Sequence, residues 1–224
     1  LVQDSYASGS VTVGNGAAWV GGLFGENGAP VIGSYATNSV NAGDSVSYIG
    51  GLMGEHYGNG LQQSYATGNV TVGSNAANIG GLLGESYSGS PISNSHASGA
   101  VTAGTGSYSV GGFVGNNYDA ITASYASGNV SAGAGSDGIA GFMGSSNGAI
   151  SNSYATGTVS AGTGSTNVAG FAGWHSWYGS ISNSYSSGAI SAVDGASPFV
   201  ANKATTATIT NSYYAVDGAT VNGQ

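Results

Sequence analysis

Ser64-Tyr-Ala-Thr-Gly-Asn-Val-Thr-Val72 is the stretch that decides the fold. Alternate positions differ in kind: Ala66, Gly68, Val70 and Val72 are small or β-branched, whereas Tyr65, Thr67, Asn69 and Thr71 are aromatic or polar. Such alternation marks a half-buried β-strand. The split recurs with Ala7, Val11 and Val13, and again with Ala155, Val159 and Ala161. The stretch is therefore one copy of a repeat.

Working outward, Ser-Tyr (once Ser-His) returns along the whole chain, with its second residue at Tyr6, Tyr35, Tyr65, His96, Tyr125, Tyr154, Tyr185 and Tyr213. The spacings are 29, 30, 31, 29, 29, 31 and 28 residues. Each unit adds an apolar, glycine-punctuated run such as Ile79-Gly-Gly-Leu-Leu-Gly84. Glycines there point to bends or close backbone approach. A third short run, such as Ile150-Ser-Asn-Ser153, leads into the next unit, and turn dipeptides such as Asn59-Gly60 separate the runs. A unit this small cannot bury its own apolar face, but stacked copies can. A propeller blade needs four strands in roughly 40 residues, too many for this unit. The sequence predicts an all-β solenoid (β-helix) of about 7–8 coils, with about 30 residues and two or three short strands per coil. It forms a single array over residues 1–224, with units beginning near 5, 34, 64, 95, 124, 153, 184 and 212. At β-sheet strand spacing, eight coils would span on the order of 35–40 Å.

Composition narrows the function classes. Of 224 residues 43 are Gly and only 4% are charged, far from the roughly one-quarter charged share of ordinary globular domains. The formal net charge is −8, and Lys203 is the single basic residue. Binding to nucleic acid needs Lys and Arg to displace counterions, so that class is excluded, and anionic membrane surfaces are disfavoured for the same reason. No apolar run approaches the roughly 20 residues of a membrane span. Without cysteine there is neither disulfide nor thiolate chemistry. The start at Leu1 reads as a mature fragment or excised domain.

Stacking converts positions into columns, and function is sought there. The first candidate is a hydroxyl face. Thr37, Thr67 and Thr156 share one column with Ser8, Ser98, Ser127 and Ser187, while Thr12, Thr71 and Thr102 share another with Asn41, Ser131, Ser160 and Ser191. Regular hydroxyl and methyl arrays suit ice; hydrogen-bonded ladders on a solvated face are the plainer alternative. The second candidate is aromatic. Tyr57, Tyr87 and Tyr118 each lie three residues beyond a strand-closing Gly, and Trp174, Trp177 and Tyr178 fall in the same loop later. Exposed aromatics bring contact area with little entropy loss, which fits a carbohydrate or protein surface ligand; local packing of the loops is the alternative. The column beginning at Tyr6 reads instead as a stacking ladder at a corner. Third, Glu26, Glu55 and Glu85 form a carboxylate column, whose members repel by roughly 0.9 kcal/mol per pair and so are weak candidates for a cation such as calcium. Solvated loop charges explain them more simply. His56 and His175 fall several coils apart and cannot share a metal. No metal site and no cofactor are expected.

Two motif matches carry no chemistry. Gly144-Ser-Ser-Asn-Gly148 fits G-x-S-x-G and Gly133-Ala-Gly-Ser-Asp-Gly138 fits G-x-G-x-x-G, but neither lies in the strand-to-helix turn its mechanism requires. No Ser-His-Asp set or paired acid stands out, so the chain is not expected to be an enzyme.

Ile79-Gly-Gly-Leu-Leu-Gly84, Val110-Gly-Gly-Phe-Val-Gly115 and Ile150-Ser-Asn-Ser-Tyr-Ala-Thr-Gly157 resemble the GLUG-motif repeats of bacterial surface and secreted proteins, among them filamentous-haemagglutinin-like adhesins and some surface-associated peptidases. The resemblance implies a structural or adhesive segment at the bacterial cell surface or outside the cell. In the peptidases it assigns activity to a separate domain. The last unit departs from the pattern: Ser197-Pro-Phe-Val-Ala-Asn-Lys203 replaces the glycine-rich core, and Asn211-Ser-Tyr-Tyr214 looks like a closing coil. Two other functions compete: ice binding on a Ser/Thr-rich face, and a filament subunit whose open strand edges stack end to end.

Overall fold

The computed structural model describes residues 1–176, 178–191, 196–216 and 219–222, the side chains of 216 and 219–222 excepted. It is an all-β solenoid of about 7 turns with about 29 residues per turn. Each turn is divided more finely than two or three strands. In the third coil the strands are Leu61–Gln62, Tyr65–Ala66, Val70–Val72, Ala77–Gly80 and Leu83–Ser86, each belonging to a different sheet. Every strand pairs in parallel with its equivalents one coil before and after; Tyr65, for example, lies between Tyr35 and His96. Equivalent residues of successive units therefore sit above one another.

The stretch quoted above is split in two because the chain bends at Gly68. A Cβ at Gly68 would overlap the carbonyl of Asn38 in the coil before it. A sharper corner precedes Ser64, where Gln63 has a left-handed backbone (φ 50°), as do Asn94, Asn152 and Asn183 in later coils. Asn tolerates this region better than most residues. At the corner, the serine of Ser-Tyr turns inward. Its Oγ accepts the N–H of the equivalent serine one coil earlier, at 3.1–3.3 Å from Ser34 through Ser184, and most also donate to the carbonyl two residues before. The buried corner N–H groups thus find partners that the sheets do not supply; each would cost about 1–3 kcal/mol if left unpaired. Ser107, Ser136 and Ser165 build a second ladder of the same kind.

The interior is thin and pinched. A Cβ on Gly51 would meet the Ala66 methyl across the coil and overlap the Gly81 carbonyl. This contact divides the core into two lobes. One holds Leu52, Met53, Leu61 and their equivalents, the other Val46, Ile49, Val70 and Val72. Within the larger lobe, Leu52 and Leu82 give way to Phe113, Phe142, Phe171 and Phe199, whose rings stack at 4.8–4.9 Å. Phe199 and the strand Val200–Lys203 continue this column and the fifth sheet, so the atypical last unit still packs as a coil.

The glycines of the second apolar run also have a structural reason. The fourth and fifth strands of a coil press backbone to backbone, and a Cβ on Gly84 or Gly115 would collide with the main chain of the facing strand. After the last coil, the second sheet ends on an antiparallel strand, Ala219–Asn222 against Tyr213–Val216, which occupies the edge where a further coil would pair.

Candidate functional site

Side chains alternate in the fifth strand as in any other, which sorts the residues around its end. In Glu55-His56-Tyr57, His56 points into the core and is fully buried, whereas Glu55 and Tyr57 face outward. Glu26, Glu55 and Glu85 pair in register, so the carboxylate column is real. Tyr57, Tyr87 and Tyr118 stand beside it on the same face, tied by backbone hydrogen bonds from each tyrosine N–H to the coil before. Two columns that the sequence presents separately are one surface. Glu26, Glu55, Tyr57 and Tyr87 line a cleft of about 370 Å³.

Trp19 and Tyr48, which sequence reasoning did not single out, extend this surface. They lie in the fourth strand with φ of 53° and 58°, a column that holds Asn78, Gly138 and Asn167 in later coils. A left-handed backbone under a bulky aromatic stores strain, on the order of 1–3 kcal/mol each, and such outliers concentrate at functional sites. Their rings stack on each other at 5.7 Å, and the Trp19 indole N–H donates to Glu55 Oε2 at 2.7 Å. Nothing in the sequence signals that backbone.

The carboxylates differ in environment. Glu85 is buried, its Oε2 accepting from the side-chain amides of Asn78 and Asn116 at 3.0 and 2.9 Å; burial raises its pKa, Asn116 lowers it and Glu55 raises it. Glu55 keeps the indole as its partner. Glu26 is exposed and has no hydrogen-bond partner among the described residues. Burial, then Glu85 and Glu55, raise the pKa of the Tyr48 phenol, which therefore stays protonated on this face. Among the described residues no three His, Cys, Asp or Glu side chains gather as a metal ion would require, so Glu26, Glu55 and Glu85 form a row and not a chelate.

Two aromatic columns can now be distinguished. From Tyr6 to Tyr185, through His96, the rings lie nearly parallel at 4.7–5.3 Å, each covering the faces of its neighbours. This is the corner ladder expected from the sequence. Tyr57, Tyr87 and Tyr118 are instead splayed: Tyr87 and Tyr118 are tilted by 47°, and all three are 41–53% exposed. Tyr57 rests on the backbone of Gly28, where a Cβ would strike its ring, and Asp119 holds the Tyr87 loop by accepting the N–H groups of Gly89 and Ser90.

The remaining candidates lie elsewhere. Trp174 does not join the tyrosines; its register partners are Ser145 and Asn202, in the glutamate column. Ser176 takes the tyrosine position, leaving Tyr178 almost fully exposed beyond it. Trp177 lies outside the described residues. All six threonines of the hydroxyl face are exposed, but Thr67 precedes the bend at Gly68 and Thr71 follows it in the third sheet, so the two columns flank a bend. His175 is buried in the column of His56, and neither of its ring nitrogens has a hydrogen-bond partner.

The fold, the Gly-Gly-Leu/Phe-x-Gly contact and the serine corner make one structural unit, and residues 106–131 match the family model described as "The GLUG motif". This segment is a GLUG motif. It runs from the fourth coil into the fifth, and the other coils place the same residue types in the same register as the GLUG segment. No curated protein and no solved structure matches the chain.

Proposed function

We propose that this array is a structural and adhesive segment of a bacterial extracellular surface protein, a rigid stack that binds through the face formed by Tyr57, Tyr87 and Tyr118. GLUG repeats and a solenoid fit a repeat-type structural protein. The observation that carries the adhesive reading is the splaying of these three rings beside a carboxylate-lined cleft, while the chain's other tyrosine column spends its ring faces on itself. Rigid aromatic side chains presented outward supply contact area at small entropic cost. The expected ligand is a carbohydrate or a protein surface.

Glycan and protein arrays probed with the chain and with a Tyr57→Ala/Tyr87→Ala/Tyr118→Ala variant test this. Binding that the triple variant loses, and that Tyr125→Ala in the stacked ladder keeps, supports the reading. Binding unchanged in the triple variant moves the site elsewhere; no binding at all leaves a spacer.

Ice binding finds its support in the third sheet, whose seven parallel strands hold Thr12, Thr71 and Thr102 outward. An ice-affinity partition assay decides it, and exclusion of the protein from growing ice removes it.

A further inference from the structure

The cleft lined by Glu26, Glu55, Tyr57 and Tyr87 carries negative charge that the protein does not neutralise. Glu26 has no partner, and Glu55 has one indole N–H on one oxygen. Lys203, the chain's single base, is committed at the far end of the array to the carbonyls of Ala204 and Ala207 at 3.2 and 2.8 Å. Beside the carboxylates stand half-exposed tyrosine rings, whose π-faces attract cations. An anionic ligand would be repelled here, and a neutral one would gain only stacking and hydroxyl contacts. A compact metal ion is a poor match, since the carboxylates stand in a row, one per coil. A row of this kind suits a ligand that carries its positive charges in series, with rings between them to lie on the tyrosines.

We infer that this cleft binds an amino-sugar chain bearing free ammonium groups, such as an oligomer of glucosamine. The pyranose C–H faces lie on Tyr57 and Tyr87, the ammonium groups face Glu26 and Glu55, and Glu85, already satisfied by Asn78 and Asn116, closes the row. The inference rests on the adhesive reading above and names its ligand.

Titration calorimetry of the full chain with two hexamers of equal length, one of glucosamine and one of N-acetylglucosamine, at pH 6 and low salt, tests it. The free amine should bind at least tenfold more tightly, with an affinity that falls as salt screens the charges. Glu26→Gln/Glu55→Gln, which keeps both shapes and the acceptor for Trp19, should erase the preference. Tyr57→Ala/Tyr87→Ala should abolish binding of both hexamers. Circular dichroism matching the parent establishes that each variant is folded. Equal affinity for the two hexamers, or a preference that survives the glutamine variant, overturns the inference and leaves the adhesive reading standing. A hexalysine peptide that binds as tightly as the glucosamine hexamer overturns the sugar assignment. Failure of both hexamers overturns the inference as well, and the adhesive reading then depends on whether any arrayed ligand is lost by the triple tyrosine variant.

Discussion

Lowering the pH should weaken this solenoid through one imidazole. His175 is 1% exposed, and its pKa is lowered from 6.5 to about 4, chiefly by burial, with the Gly179 backbone pulling the other way and the Lys203 charge adding to the fall. The folded state therefore holds the ring neutral, while the unfolded chain binds a proton near its ordinary pKa. The stabilisation of the neutral form is complete above pH 6.5, is lost as the pH falls from 6.5 toward 4, and has gone below that. A shift of this size corresponds to about 3 kcal/mol in full and about 2 kcal/mol by pH 5, at 1.36 kcal/mol per pH unit. At pH 5 most carboxylates are still ionised, so the imidazole contribution is separable. Urea unfolding at pH 7.5 and pH 5 should be compared for the parent and for His175→Asn, since Asn117 fills the same column two coils earlier. The parent should lose about 2 kcal/mol more than the variant between the two conditions. His56, whose pKa burial also lowers, remains in both proteins and cancels. Parallel losses, within about 0.5 kcal/mol, would show that His175 is not held neutral by its surroundings.

Two further perturbations probe the packing. Phe142→Ala removes a fully buried ring stacked at 4.8 Å on both sides and should cost about 3–5 kcal/mol in urea unfolding, whereas Phe142→Leu, matching Leu52 and Leu82 in the same column, should cost about 1–2 kcal/mol; equal costs would sink the stacking argument. Gly115→Ala places a methyl on the backbone of Asn78, Ile79 and Gly84 and should destabilise by about 1–3 kcal/mol or more, while Gly14→Ala, with open space around it, should be neutral or stabilise by up to about 1 kcal/mol. Equal unfolding midpoints for the two alanine variants would refute the close approach.

How much of this was legible in the chain depends on what kind of fact it was. Stacking, the period near 30 residues and the inward Ala and Val set followed from alternation and recurrence, because a parallel stack repeats its demands at every coil. Parity, followed further, would also have turned Ser64 inward with Ala66, and His56 inward between Glu55 and Tyr57; loop-like residue types concealed both. The same parity puts Glu55 and Tyr57 on one face, so the joined surface was implicit in the sequence. The five-sheet division was harder to see, since corners such as Gln63 and Ala123 adopt left-handed backbone without Gly or Asn to announce it. Trp19 and Tyr48 were out of reach altogether, because their conformation is set by the glycine contacts of neighbouring strands.

The uniform parallel register has a consequence for how such a chain can change length. Excising or inserting one whole repeat at equivalent points, for instance between Tyr65 and His96, would rejoin strands that already match their new neighbours. Adding a single residue inside a strand would instead turn every later side chain of that strand inside out. The molecule can therefore grow or shrink only in quanta of one coil, like a telescoping rod with fixed stops.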